Sequence, residues 1–125
     1  MSQTDENLKI AFASESQTNI EYLAYAHRAI EEGLVEMAQL FREAAGAEVV
    51  HALSHLRAMD VVKKTRDNLK EAAEGESLEI MSMYPKFIKE AEKEGRQEAA
   101  ESFRMAFERE KHHRAMFRQA LKQLK

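Results

Sequence analysis

Apolar residues recur along this chain at alternating steps of three and four, the spacing of one face of an α-helix. Four stretches carry the pattern. The first runs from about Asp5 to Glu32 with Leu8, Phe12, Glu15, Tyr22, Ala26 and Ala29 in its stripe, and Gly33 marks its end. The second runs from Leu34 to about Lys63 through Ala38, Phe41, Ala45, Glu48, His51, His55 and Met59. The third starts near Asp67 or Asn68, both suited to cap a helix, and runs through Leu69, Glu76, Glu79/Ile80, Met83 and Phe87 to Gly95. The fourth extends from about Gln97 to the chain end, with Ala99, Phe103, Ala106, Glu110, His113, Phe117, Ala120 and Leu124 in strict alternation. The pattern predicts an all-α fold, a four-helix bundle in one domain over 1–125, with helix pairs at about 5–63 and 67–125. Pro85 falls inside the third helix, where a kink is expected rather than an end, because the stripe resumes at Phe87.

The stripes repeat. Glu32-Gly33 matches Glu94-Gly95, Ala38 matches Ala100, Phe41-Arg42 matches Phe103-Arg104, and Glu48/His51 match Glu110/His113, all 62 positions apart. Glu15 and Glu76 match at 61, so one residue differs between the first and third helices. A helical hairpin has been doubled.

Acids sit in these apolar seams. A carboxylate and an imidazole three residues apart point the same way from a helix. Two Glu-x-x-His pairs plus a Glu from each of two further helices is the ligand set of a dinuclear metal site in a four-helix bundle. Any single such pair is most simply a solvated helix face. Five acids, Glu15, Glu48, Glu76, Glu79 and Glu110, in the seams of one bundle are another matter, since buried carboxylates need a partner or a metal. No Lys or Arg stands in those stripes to neutralise them. Two metal ions of charge two or three would. Oxygen and nitrogen donors suit iron or manganese, and zinc less specifically. His55, one turn beyond His51, is read as packed beside the ligands rather than among them. Tyr22 and Tyr84 lie about two turns after Glu15 and Glu76, where a packing role and a role beside the metal are both open. His27 and His112 read as surface residues and the methionines as gap fillers.

Composition narrows the classes. The chain has 125 residues, 44% hydrophobic and 33% charged, with a net charge of −3 and no basic stripe for nucleic acid. No apolar run reaches the roughly 18 residues of a membrane span, and residues 1–6 lack a signal-peptide pattern, so a cytoplasmic protein is expected. It has no cysteine, which excludes disulfides and thiolate metal sites within these residues.

The stretches Ala13-Ser14-Glu15-Ser16-Gln17, Glu48-Val49-Val50-His51, Asn68 through Gly75-Glu76 to Glu79, Met83-Tyr84-Pro85-Lys86-Phe87 and Glu110-Lys111-His112-His113 carry a resemblance. In these, and in their order, the chain resembles the rubrerythrin and erythrin branch of the ferritin-like diiron proteins. The resemblance implies a ferritin-like bundle holding two irons on Glu15, Glu48, His51, Glu76, Glu110 and His113. Glu79 would be the additional carboxylate that helps move an iron during the redox cycle, and Tyr22 and Tyr84 would lie near the cluster. It implies two-electron reduction of hydrogen peroxide, or of dioxygen, in oxidative-stress defence. The rubredoxin domain of full-length relatives is expected to be absent here, so electrons would come from a separate donor such as a rubredoxin. A manganese catalase-like protein, an iron-binding or ferroxidase-type module and a metal-free structural bundle are the other readings.

The segment between the second and third helices is short. Only 25 steps separate His51 from Glu76. Returning along one bundle would need about 8 extended residues at about 3.3 Å each against helix at about 1.5 Å. Residues 63–70 contain no Pro or Gly and read as helix-compatible, which predicts a nearly continuous helix and a helix-swapped homodimer with composite sites.

Overall fold

The computed structural model describes residues 2–124; Met1 and Lys125, the two ends of the expected domain, lie outside the described residues. All regular structure among them is helical. The helices are α1 (Gln3–Glu31), α2 (Val35–Met59), α3 (Thr65–Leu78), a π-helical turn (Glu79–Met83), α4 (Tyr84–Lys93) and α5 (Gln97–Gln123). None is long and apolar enough to cross a membrane.

The helices form two compact units, one up to Val62 and one from Lys63. In hairpin 1, α1 packs on α2. In hairpin 2, α3, the π-helical turn and α4 together pack on α5. Both hairpins turn in the same way. Gly33 (φ 77°) and Gly95 (φ 72°) take the left-handed conformation, which only glycine adopts freely. The next amides, Leu34 N and Arg96 N, each donate 2.8 Å back to Ala29 O and Ala91 O, satisfying carbonyls the helix end would orphan. Helix α1 opens on a capping box, Ser2 Oγ accepting from Asp5 N at 3.1 Å while Asp5 accepts from Ser2 N. Those hydrogen bonds hold the Asp5 carboxyl below its usual range.

The link between hairpins differs from expectation. Helix α2 stops at Met59, with Asp60 in the left-handed conformation, and α3 starts at Thr65. Residues 60–64 are not helical, so the nearly continuous helix is corrected to a break. Asn68 does not cap a helix start either. Its amide spans the break, accepting from Lys63 N at 2.8 Å and donating to Lys63 O at 2.9 Å. A side chain that satisfies its neighbour's amide and carbonyl together stabilises a turn against helix.

The distortion expected at Pro85 is the π-helical turn just before it. Tyr84 N bonds Glu79 O, five residues back. Pro85, lacking an N–H, occupies the second position of α4, where none is needed.

The fully buried core is small. It consists of alanines, among them Ala26, Ala38, Ala45 and Ala100, together with Ile80. These let helices approach closely, while the larger seam residues such as Phe41 remain half-buried within their own hairpin.

Candidate metal centre

The 62-residue repeat is visible as geometry. In hairpin 1, Tyr22, Tyr25 and Phe41 form an aromatic triad with ring centroids 6.1, 6.2 and 5.4 Å apart. In hairpin 2, Tyr84, Phe87 and Phe103 do the same at 6.3, 6.1 and 5.5 Å. Each triad lies on the turn side of its ligand residues, so Tyr22 and Tyr84 occupy corresponding places.

Hairpin 1 brings together Glu15 from α1 and Glu48 and His51 from α2, with donor atoms all within 4.8 Å of one another. His51 Nδ1 is 3.1 Å from Glu15 Oε1 and 3.9 Å from Glu48 Oε2. His55 Nε2 contacts Glu15 Oε2. His55 thus stands against a candidate ligand. Asn19 Nδ2 donates 2.7 Å to Ala45 O and pins α1 to α2 one turn from Glu15.

Hairpin 2 brings together Glu76, Glu79 and Glu110, again with donor atoms within 4.8 Å. The π-helical turn begins at Glu79 itself. His113 stands beside this group, its Nδ1 3.7 Å from Glu76 Oε1, and its ring packs on Phe117 at 6.4 Å. Burial, a hydrogen bond to Glu79 and the charges of Glu79 and Glu76 push the Glu110 carboxyl up to about 7. Burial first, then Glu110, Glu79 and Glu76, raise the Tyr84 phenol above its usual range. Tyr84 therefore keeps its proton while facing the carboxylates.

Whether such a cluster fits a metal is answered by its own atoms. Glu76 Oε2 and Glu110 Oε2 are buried with no hydrogen-bond partner among the described residues. An unpaired buried carboxylate oxygen is costly. Three carboxylates converging without a cation hold together only by keeping a proton, as the raised Glu110 shows. A divalent or trivalent ion resolves both conditions, and the oxygen and imidazole donors fit iron.

Met81 is exposed, and His27 and His112 lie on the surface. The contact from His55 to Glu15 had a signal in sequence, four residues beyond His51 on the same face. The Asn19 crosslink had none.

The rubrerythrin family model matches residues 6–121. Rubrerythrin-1 of Clostridium acetobutylicum is 33% identical over 98% of this chain and 71% of its own length. Nigerythrin of Nitratidesulfovibrio vulgaris is 36% identical over 82% of this chain and 58% of its own. A solved structure of fully reduced, all-ferrous nigerythrin aligns with a TM-score of 0.47 at 30% identity, covering 98% of this chain and 67% of that one.

Proposed function

This chain belongs to the rubrerythrin family, and from that premise we propose that it is a diiron peroxidase. Rubrerythrins are diiron proteins, and the coarse assignment is an oxidoreductase of oxidative-stress defence. The finer reading is reduction of hydrogen peroxide to two waters, consuming two electrons and two protons. The electrons come from a donor such as a rubredoxin that lies outside these residues, which contain no cysteine to ligate a rubredoxin iron. We place the protein in the cytoplasm.

The observation that supports the reading best is the pair of matched half-sites. Glu15, Glu48 and His51 would hold one side of the centre, and Glu76, Glu110 and His113 the other, with Glu79 as a further carboxylate. When bound, a diferrous centre supplies two electrons and the Lewis acidity that polarises the O–O bond. The side chains do the rest. In the metal-free cluster the hydrogen bond between Glu79 and Glu110 keeps a proton at the carboxylates near neutral pH, and a bound ion would take that proton's place. Tyr84, its phenol held protonated beside these carboxylates, would donate a hydrogen bond at the same place. Tyr22 lies in the matching position of hairpin 1.

We also propose that the two half-sites joined in one centre come from different copies. The break of residues 60–64 extends the chain by about 17 Å at 3.3 Å per residue, whereas the other 20 steps between His51 and Glu76 advance about 30 Å as helix. That is too short for a return along one bundle and favours a helix-swapped homodimer.

The test is anaerobic titration of the reduced, iron-loaded protein with hydrogen peroxide, counting metal and following the near-ultraviolet absorption of the oxidised centre. One peroxide per two irons, fast and re-reducible over many turnovers with added rubredoxin and its reductase, supports the peroxidase. Iron released after slow oxidation favours an iron-handling module. Peroxide disproportionation without a donor favours a catalase-like protein, and no bound metal a structural bundle. A metal-replete monomer would refute the swap.

A further inference from the structure

The two hairpins share their turns, triads and ligand positions, but the charges behind the ligands differ. Counting about 100° per residue from Glu76 on α3 and from Glu110 on α5, the buried Ala73 and Ala100 lie at about 60–80°, on the inner side of the hairpin. Just past them, at about 80–120°, stand Arg66 and Lys70 on α3 and Lys111, Arg118 and Lys122 on α5. Glu74 and Glu108 follow at about 160°, and Asp67 and Glu71 lie farther round α3. The groove thus carries five cations against two acids, a net of +3. The cations are scattered from 66 to 122 in sequence, and the packing of α3 on α5 gathers them.

Hairpin 1 shows that the frame does not require this. The repeat offset is 61 before the π-helical turn and 62 after it. Arg66 and Lys70 then become Asp5 and Lys9, while Lys111, Arg118 and Lys122 become Val49, Leu56 and Asp60. The two acids become Ala13 and Gly46, which leaves one cation against two acids, a net of −1.

Most of the cations are not spent on pairing. Lys111 is held by Glu108 at 3.2 Å and lies over the Phe107 ring. Arg66 Nη2 donates 2.6 Å to Leu124 O, and Arg118 Nη2 donates 3.4 Å to Ser77 Oγ, both uncharged acceptors. Among the described residues Arg66, Lys70, Arg118 and Lys122 form no ion pair. Lys70, Ser77 and Arg118, with Glu74 at the rim, line a cavity of about 280 Å³ between the two helices. The groove also backs onto the ligands. Ser77 follows Glu76, and Arg118 follows Phe117, whose ring packs on that of His113 at 6.4 Å. A partner seated there stands one helix width, about 10 Å, behind them.

We propose that the basic groove between α3 and α5 is the docking site of the electron donor, a small protein with an acidic surface around its redox group. The need for a donor rests on the proposed function, which places it outside these residues. Charge selects the occupant. The groove runs about 17 Å along two helices of about 10 Å each, a footprint that suits the transient electron-transfer encounters that bury less than about 1,200 Å² in total. Glu74 and Glu108 on its rims, with Asp67 and Glu71 beyond, would repel a phosphate backbone that ran on past the patch. A compact acid cluster fits inside them. Two encounters, each oxidising one donor by one electron, supply the two electrons that one peroxide consumes.

The test uses the full chain, with a rubredoxin of net negative charge as donor. Lys70→Glu with Lys122→Glu is compared with wild type and with Lys89→Glu plus Lys93→Glu, an equal change of charge on α4. Binding to the protein as purified is read from the fluorescence anisotropy of labelled rubredoxin. Oxidation of reduced rubredoxin by the iron-loaded protein with peroxide is read by stopped flow. At low salt the groove variant should bind about tenfold more weakly and oxidise rubredoxin about 10- to 100-fold more slowly, with the α4 variant close to wild type. At about 1 M salt, where charges are screened beyond about 3 Å, the three should converge. Helicity and metal per chain should be unchanged throughout. Wild type that does not bind rubredoxin, a groove variant that behaves as wild type, or an equal loss in the α4 variant overturns the proposal. So does duplex DNA held by wild type and lost by the groove variant while rubredoxin is unaffected, which would make the groove a phosphate site. If the peroxidase reading itself failed, wild type would not oxidise rubredoxin with peroxide, while the anisotropy comparison would still report on the groove.

Discussion

Hairpin 1 and hairpin 2 are two solutions to one problem, and they differ where the chemistry would. Both set a Glu-x-x-His pair against a glutamate on the opposing helix, beside the same aromatic triad. Hairpin 1 then adds an imidazole, His55, against Glu15. Hairpin 2 has Phe117 at that position and instead adds a carboxylate, Glu79, at the start of a π-helical turn that α1 lacks. One half-site is thus poised with imidazoles around its acid. The other is an acid cluster that keeps a proton at Glu110. Duplication has yielded halves with the same frame and unequal charge, so an ion bound by one would sit in a different field from an ion bound by the other.

The largest expected effect tests whether the halves need each other. Glu48→Ala and Glu110→Ala each remove one carboxylate, from hairpin 1 and hairpin 2 respectively. In a composite centre either one should empty both metal positions, dropping metal per chain to near zero, and the thermal midpoint should fall to that of the metal-free protein. Ligands present at about 100 times Kd contribute about 2.7 kcal/mol to stability. Loss of one ion only, with the other kept at full occupancy, would show that each hairpin binds alone.

A smaller effect is expected from exchanging the residues that make the halves unequal. His55→Phe gives hairpin 1 the residue of hairpin 2. Groups that orient ligands are typically worth 10- to 100-fold in metal affinity, so iron binding by competition with a chelator should weaken by about tenfold or more. The Mössbauer signals of the two irons should also move closer together. An unchanged affinity and spectrum would reduce His55 to a packing residue.

Much of this was legible in the sequence because metal sites put acids where an apolar stripe should be. Glu15, Glu48, Glu76 and Glu110 stand out against Phe41 and Ala45, and the repeat pairs them. The step from an offset of 61 at Glu15/Glu76 to 62 at Tyr22/Tyr84 also marked the extra residue. It did not say where that residue would go. Pro85 suggested a kink at the proline, but a helix absorbs one added residue most economically as a π-helical turn upstream, leaving the stripe in register on both sides. The break at 60–64 was missed for another reason. Residues 63–70 are individually compatible with helix, and what stops it is Asn68 bonding Lys63, a local contact that periodicity does not register.

The inequality of the halves should also show as a pH dependence confined to the metal-free protein. The folded Glu110 carboxyl, at about 7, lies above its ordinary value of 4.5. The folded state therefore binds a proton that the unfolded chain has released, and its stability falls as pH rises from about 4.5 to about 7 and then levels off. Urea midpoints of the metal-free wild type should decline across that window. Glu110→Gln, neutral at every pH, should flatten this part of the decline. A decline of the same size in the variant would mean that the slope belongs to other groups.

The smallest expected effect concerns how each hairpin fixes its helices near the ligands. Asn19 in hairpin 1 donates 2.7 Å to Ala45 O, whereas its counterpart at the offset of 61 is Ile80, buried in hairpin 2. One hairpin uses a polar crosslink where the other uses apolar packing. Asn19→Ala removes a half-buried hydrogen bond whose acceptor remains within α2's own hydrogen-bonded ladder, so no carbonyl is orphaned. The cost should be about 1 kcal/mol in chemical denaturation. Ile80→Asn is not the mirror image. It places an amide where apolar packing was, with no counterpart guaranteed to receive it, so it should cost more than Asn19→Ala, by about 1–3 kcal/mol for an unsatisfied group. Equal costs would show that the two positions are interchangeable and that the asymmetry of the hairpins does not extend to how their helices are held.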